Sequence, residues 1–415
     1  MGQFTKFPSS GQPVLGQLMA FIPKELVEQS VAEHKSDRYY KTMTTYRHLV
    51  FMLYGVVSKA RSLNELVKGL TFLSNRLSYM GINKLPPTST LGDANCNRDS
   101  GVFKTLYHKL YAHYGELLSP PHGGSMEEAV SRRAHVFDST TISLFCDVFK
   151  GTGRNPLDGK RKGGIKAFSK SPLEGWAPDL VVLGHARTNE KVFLGQLEVQ
   201  QGDIYIFDKG FASYKVWSEW GGQGAFFLTM PNGNAAFEVL EGKVCDHVEY
   251  ADGGLVSDQA IALDVDNEAF KCRLVTYKDP ESGKTLRFVT NLWDMDWQTV
   301  AQLYKYRWGI EVLFKRLKQN FQLTSFFSDS AEGIKTQIWT ALTANLIFTV
   351  IHRMTKEVEI YSVMVRMAAA NMASYTSLIA ILKKPQRLQG EDRDLENVQL
   401  SIFSQKGGGT FQNSS

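Results

Sequence analysis

The sequence predicts an α/β protein: a core of strands and helices that runs into a β-patterned block, preceded by a helical domain and followed by further helices. Three observations carry this. Residues 1–125 place apolar side chains at helical spacing. From residue 133 the pattern changes to short runs rich in β-branched and aromatic residues. After residue 292 it returns to helix.

Length and composition frame this reading. A chain of 415 residues is long enough for two or three domains, and 43% hydrophobic with 21% charged residues supplies ample core. A net charge of +5 suits a polyanionic partner without requiring one. Cys96, Cys146, Cys245 and Cys272 lie far apart, with no CxxC or Cys/His cluster, so reduced structural thiols and no zinc site are expected. MGQFTKFPSS lacks the apolar stretch of a signal peptide. The longest apolar stretch, Ile338 to Ile351, reads as a core helix too short to span a bilayer, so no membrane partner is expected.

Within residues 1–125, LGQLMAFIPKELVEQSVAEH and TTYRHLVFMLYGVVSKA read as helices. Ser62 with Glu65 three residues on is a capping-box pattern. Pro120, Pro121, Gly123 and Gly124 read as a linker.

RAHVFDSTTISLF, residues 133–145, reads as a strand interrupted by Asp138. A carboxylate with apolar neighbours on both sides is costly unless something satisfies it; the plain alternative is a turn aspartate capped by Ser139 or Thr140. Next comes a glycine-rich basic run in which Lys150, Arg154, Lys160, Arg161, Lys162, Lys166 and Lys170 face only Asp158. Such a run is usually a solvated loop; beside an active site it suits a DNA backbone, with Lys162 and Lys166 as candidate contacts. A strand begins at GIKAF, and APDLVVLGHARTNEKVFLGQ reads as a hairpin.

IYIF is a short buried-strand run that ends in Asp208, followed by Lys209, Gly210 and a helix capped at Ser213. A carboxylate at the C-terminal end of a buried strand is a favoured active-site position in α/β sheets. AFFLTM is the next strand, and residues 231–292 alternate as further strands, with turns at Asp252-Gly253 and Pro280–Gly283. Trp293 and Trp297 stand at the exit of that block. Residues 330–382 read as helices, and residues 386–415 as a flexible tail.

The stretch LYKYRWGIEVLFKRLKQNFQL, residues 303–323, reads as one helix. At about 100° per residue, Tyr304, Arg307, Glu311 and Lys318 fall within roughly 60° of one another, beside an apolar stripe of Leu303, Ile310, Phe314, Leu317 and Phe321. One acid among a hydroxyl and two cations, along the edge of a buried face, suits a site that handles phosphate and metal together. The bland alternative is an ordinary Arg307–Glu311 ion pair four residues apart.

Tyr304, two residues, Arg307, three residues, Glu311, six residues, Lys318 resembles the signature spacing of the IS4-type transposases, and the resemblance extends over residues 130–350. It implies a ribonuclease-H-like catalytic domain at 130–350 with a β-rich insertion at 231–292. It further implies an end-binding domain at 1–125 and C-terminal helices at 351–385. Asp138, Asp208 and Glu311 then form the catalytic acidic triad and hold two Mg²⁺ ions, with Mn²⁺ able to substitute. Phosphodiester transfer needs an activated oxygen, a stabilised leaving oxygen and neutralised phosphate charge, which two ions about 4 Å apart supply. Tyr304, Arg307, Lys318 and Lys209 become DNA contacts, and either Trp293 or Trp297 is a candidate to stack on an extruded base. The activity implied is cut-and-paste transposition by a cytoplasmic bacterial homodimer acting on terminal inverted repeats and target DNA, in some relatives through a hairpin intermediate. A metal-dependent nuclease without strand transfer and a catalytically silent DNA-binding derivative are the other readings. The segment Leu194 to Asp203 is short for the helix expected there.

Overall fold

A computed structural model describes residues 11–118, 128–144, 150–154, 161–355 and 360–382, except 174, 176, 196, 234 and 245–253. The expected linker, the turn at Asp252-Gly253, Cys146, Cys245 and the tail at 386–415 lie outside the described residues.

Ten described strands form one sheet. They are β1 (Ala134–Leu144), β2 (Lys150–Arg154), β3 (Arg161–Pro172), β4 (Leu180–His185), β5 (Ile204–Phe207), β6 (Phe226–Thr229), β7 (Glu238–Val244), β8 (Gly254–Val265), β9 (Glu268–Lys278) and β10 (Thr285–Thr290). β4 and β3 pair antiparallel, as do β3 and β1, while β1, β5 and β6 run parallel. The order β4-β3-β1-β5-β6, with only β3 reversed, is the arrangement of a ribonuclease-H-like core. β2 adds to the outer edge of β3.

The 231–292 block continues this sheet instead of forming a separate one. β10 pairs with β6 on one side and β9 on the other, and β8 and β7 follow as an antiparallel meander. β8 and β9 reverse at Asp266 and Asn267, both at positive φ (53° and 69°), which short polar side chains tolerate.

Side-chain alternation splits the strands between two cores. Val136, Ile204 and Ile206 face one; Phe137, Tyr205 and Phe207 face the other. The second core is aromatic, with Trp217 stacked on Phe227 at 4.8 Å. The first joins the sheet to the N-terminal and C-terminal helices.

Four expectations need correction. The stretch 303–323 is two successive helices, Trp297–Tyr306 and Trp308–Asn320. Asp296 starts the first, its Oδ1 accepting from the Thr299 amide at 2.8 Å. Around Arg307 the bonds tighten to three-residue spacing, Arg307 N–H to Tyr304 O and Ile310 N–H to Arg307 O. Phe321 is already extended, so the second helix ends at Asn320. Within APDLVVLGHARTNEKVFLGQ only LVVLGH is a strand; EKVFL is a short helix because Asn189 Oδ1 caps the Lys191 amide at 3.0 Å. That helix also supplies the connection that looked too short. The apolar stretch 338–351 belongs to a helix, Ala331–Thr355, that is long and apolar enough to cross a bilayer. It is buried inside the protein, packed on the helices Thr45–Val57, Thr88–Asn97 and Gly101–His113. Finally, the partner of the Ser62 capping box is shifted. Ser62 Oγ accepts from the Glu65 amide, while Glu65 Oε2 accepts from Arg61 N–H.

Candidate functional site

β1 and β5 set the two aspartates. Phe137 lies opposite Phe207 across the parallel pair, so Asp138 and Asp208 are the next residues of neighbouring chains about 4.8 Å apart. Asp138 shares the face of Val136, the side covered by the helix Trp308–Asn320. Its Oδ1 accepts from the Ser139 amide at 2.8 Å. Asp208 stands at the end of β5, where a single 3-10 turn, Lys209–Phe211, begins.

Glu311 lies in the first turn of the helix Trp308–Asn320 and lines an open cleft with Asp138, Ser139, Thr140, Lys315, Lys318 and other residues. Burial pushes the Asp138 carboxyl up to about 6; the Ser139 amide and Arg307 pull it down, and the charges of Glu311 and Asp208 push it further up. Asp138 therefore sits within electrostatic reach of both Glu311 and Asp208. Among the described residues, no three His, Cys, Asp or Glu side chains converge on one point tightly enough to hold an ion together. Glu311 Oε1 instead meets Arg307 Nη2 at 2.8 Å.

This pair is not an ordinary surface ion pair. The Arg307 side chain is only 9% exposed against 49% for Glu311. Arg307 Nε and Tyr304 Oη are both buried without a hydrogen-bond partner. The Arg307 guanidinium carbon lies 5.6 Å from the Tyr304 ring centre. Burial pushes the Tyr304 hydroxyl up to about 12, so it stays protonated and can donate. Unpaired buried donors cost free energy unless an acceptor arrives, and two of them beside three carboxylates outline a place for an anionic oxygen.

Of the other expected contacts, Lys318 shares the cleft and Lys209 adjoins Asp208, while the rest lie elsewhere. Lys318 Nζ donates to Thr140 Oγ1 at 2.7 Å and Thr141 O at 3.0 Å, tying its helix to β1. Lys166 points to the opposite face of the sheet and is bonded to Glu190. Lys209 is exposed beside Asp208. Lys162 pairs with Gly153 in the β2–β3 ladder, and its side chain lies outside the described residues. Trp297 lies against Tyr277, ring centres 5.6 Å apart. Trp293 is 48% exposed at a groove lined by Glu241, Gly242, Asp258, Gln259, Ala260 and Arg273.

Two features were missed in the sequence. Trp308 and Val312, 63% and 53% exposed, flank Glu311 on the outer side of its helix. Their outward position was readable from helical spacing, because they lie opposite the apolar stripe. Glu190 accepts from Ser139 Oγ at 3.2 Å as well as from Lys166, and no spacing signalled that link.

Compared with known proteins, residues 131–347 match the family model described as "Transposase DDE domain", a span that contains Asp138, Asp208 and Glu311. Residues 10–83 match a domain of unknown function, DUF4372. The chain is 27% identical over 281 residues to the "Putative transposase y4zB" of Sinorhizobium fredii, covering 65% of this chain and 73% of that protein. It is 23% identical over 268 residues to the "Putative transposase for insertion sequence element IS4SA" of Synechocystis, covering 62% and 70%. A piggyBac transposase synaptic complex with hairpin DNA aligns over 98% of this chain and 87% of that one, at 12% identity and a TM-score of 0.45. With the family model spanning more than half of its length, the chain belongs to the DDE-domain transposases.

Proposed function

We propose that this transposase is of the IS4 type and moves an insertion sequence by cut-and-paste. The observation that carries the reading is the buried, unpartnered Arg307 Nε and Tyr304 Oη beside the Asp138–Asp208–Glu311 carboxylates. In this proposal Asp138, Asp208 and Glu311 hold two Mg²⁺ ions. The donor set suits them: carboxylate oxygens without His or Cys, the ligand type that Mg²⁺ prefers. Held by these carboxylates, divalent ions would supply activation of the attacking oxygen and charge neutralisation at the leaving one.

The chain's own residues do the positioning. Arg307 can turn its Nε and one Nη toward a phosphate, gripping two oxygens as a fork. Its release of Glu311 would free that carboxylate to join Asp138 and Asp208 as a ligand to the ions. Tyr304 donates its hydroxyl to the same phosphate. Lys318, once freed from Thr140, reaches the next phosphate of the strand, and Lys209 a neighbouring one. Trp293 is favoured over Trp297 for stacking on an extruded base, because its ring is exposed while Trp297 leans on Tyr277. Residues 1–125 bind the element ends, residues 130–350 cut and join, and two copies act in one complex in the bacterial cytoplasm.

A joining assay tests the reading. Full-length protein is given a pre-cut element end and a supercoiled plasmid in Mg²⁺. Covalent joining of the 3′-hydroxyl supports transposition; cutting without joining returns the nuclease reading, and binding without either returns the silent one. Mixing a Glu311→Gln protein with one that cannot bind ends tests whether a subunit cuts the end held by its partner. Full activity from a strictly monomeric species would sink the dimer.

A further inference from the structure

We propose that the loop between the helices Lys24–His34 and Thr45–Val57 is a built contact for the sugar-phosphate backbone of duplex DNA. The proposal rests on the chain acting on DNA, as above, and places one contact within the matched domain of unknown function. Three side chains would touch phosphates, namely Lys35, Arg38 and Lys41, with Tyr39 lying along the strand.

Charge is the first support. Residues 35–47 contain Lys35, Arg38, Lys41 and Arg47 against Asp37 alone, 4 − 1 = +3. Residues 1–118 hold 14 Lys/Arg and 8 Asp/Glu, 14 − 8 = +6, so half of that excess sits in this short stretch. The side chains of Lys35, Arg38 and Lys41 are exposed, and no ion pair ties them to an acid among the described residues. Tyr39 is 82% exposed, with the Arg38 guanidinium 5.3 Å from its ring centre.

The second support is rigidity. Solvated basic loops are normally loose, but this one is braced from beneath. Asp37 turns inward, and its Oδ1 accepts from both the amide and the hydroxyl of Thr45 at 2.7 Å. Ser36 and Thr45 share a hydroxyl–hydroxyl bond of 2.7 Å. Arg98 is buried under the loop, donates to Met43 O at 2.5 Å and stacks 4.2 Å from the Tyr40 ring centre. Arg47 spends its donors on Thr42 O and Gly81 O. Lys35 ends the preceding helix in the left-handed conformation, with φ at 48°. The one acid of the stretch is thus bound internally while three cations and an aromatic are held outward. A preordered cationic surface loses less entropy on meeting a polyanion.

The loop is also fixed relative to the cutting site. Next to Arg98, the Ser100 amide donates to Glu332 Oε2 at 2.7 Å, on the helix Ala331–Thr355 that packs on the Glu311 helix. A backbone held by this loop therefore keeps a set distance from the carboxylates.

Phosphate contacts are independent of sequence, so a random 40-base-pair duplex serves as the probe. Full-length protein is titrated in metal-free buffer across a salt series. The Lys35→Ala/Arg38→Ala/Lys41→Ala variant should lose about 2.7 from the slope of log affinity against log salt, since each phosphate contact contributes about 0.9. At 0.1 M salt its affinity should fall at least about tenfold, with an unchanged melting temperature. Arg38→Lys alone should keep the wild-type slope. The control removes three exposed charges elsewhere, Lys24→Ala/Lys68→Ala/Lys104→Ala. If both triple variants show the same slope, the loop makes no contact and the proposal is overturned, while the transposase reading stands. A wild-type protein that binds no duplex at all overturns both.

Discussion

Asp138 and Asp208 occupy matching positions on two parallel strands, each one residue beyond the Phe137–Phe207 pair. Their nearness is fixed by strand register, so it does not depend on loop conformation. Asp138→Asn, Asp208→Asn and Glu311→Gln should each lower Mg²⁺-dependent nicking by at least about a hundredfold, the scale of removing one charge-stabilising group. End binding should persist, because side-chain size is unchanged. Near-wild-type nicking by any one variant excludes that residue as a ligand.

Arg307 bridges Glu311 and the Tyr304 ring while leaving Nε unbonded. Arg307→Lys keeps the charge and loses the fork. Cleavage should fall by about ten- to a hundredfold, with the melting temperature within a degree or two of wild type. If the melting temperature drops and cleavage holds, the residue serves folding and the phosphate assignment fails.

The two tryptophans at the insertion exit should separate by experiment. Trp297→Ala removes the contact with Tyr277 and, because the ring is only partly buried, should cost stability of less than the roughly 3–5 kcal/mol of a core Trp→Ala. Trp293→Ala should leave the melting temperature unchanged, spare the first nick and slow the later step. A 2-aminopurine near the cut end reports base extrusion, and its signal should vanish in Trp293→Ala alone. An unchanged signal removes Trp293 from that role.

His48 supplies a pH prediction. Burial chiefly, with the Arg98 charge, pulls its imidazole down to about 3 against the Asn95 hydrogen bond, which raises it. The unfolded chain takes up this proton near pH 6.5 and the folded chain does not. Stability should therefore fall as pH drops from about 6.5 toward 3, by up to about 1.4 kcal/mol per pH unit from this residue. Denaturant midpoints at pH 7.5 and 5 measure it. His48→Gln should flatten the decline, and an unaltered pH dependence would falsify the assignment.

Much of this architecture was legible because its signals are local. RAHVFDSTTISLF is a strand-like run interrupted by one carboxylate and IYIF an apolar run ended by one, and they form β1 and β5 with Asp138 and Asp208 on neighbouring central strands. What failed depended on groups distant in sequence or on single bonds. KVFL has strand-forming residues, but the Asn189 cap turned it into helix. The step at Arg307 falls within a stretch of unbroken helical spacing, so periodicity had nothing to register. Lys166 looked like one more cation of a basic loop. It faces Glu190 because β3 pairs with β1 in a register that places the two on the far side of the sheet.

The join between β6 and β10 has a consequence for building chimaeras. Thr290 Oγ1 donates to Phe227 O, and the Asn291 side chain brackets β6 by accepting from Phe227 N–H at 2.9 Å and donating to Ala225 O at 3.0 Å. The segment 231–292 is therefore not a cassette that can be lifted out whole. Cutting at 292 would strip β10 from its host and bare the edge of β6 beside Phe227 and Leu228, an invitation to aggregation. A workable graft places its seams in the stretch 231–237 and in the Pro280–Gly283 turn, so that β10 stays with the recipient and only β7, β8 and β9 are exchanged.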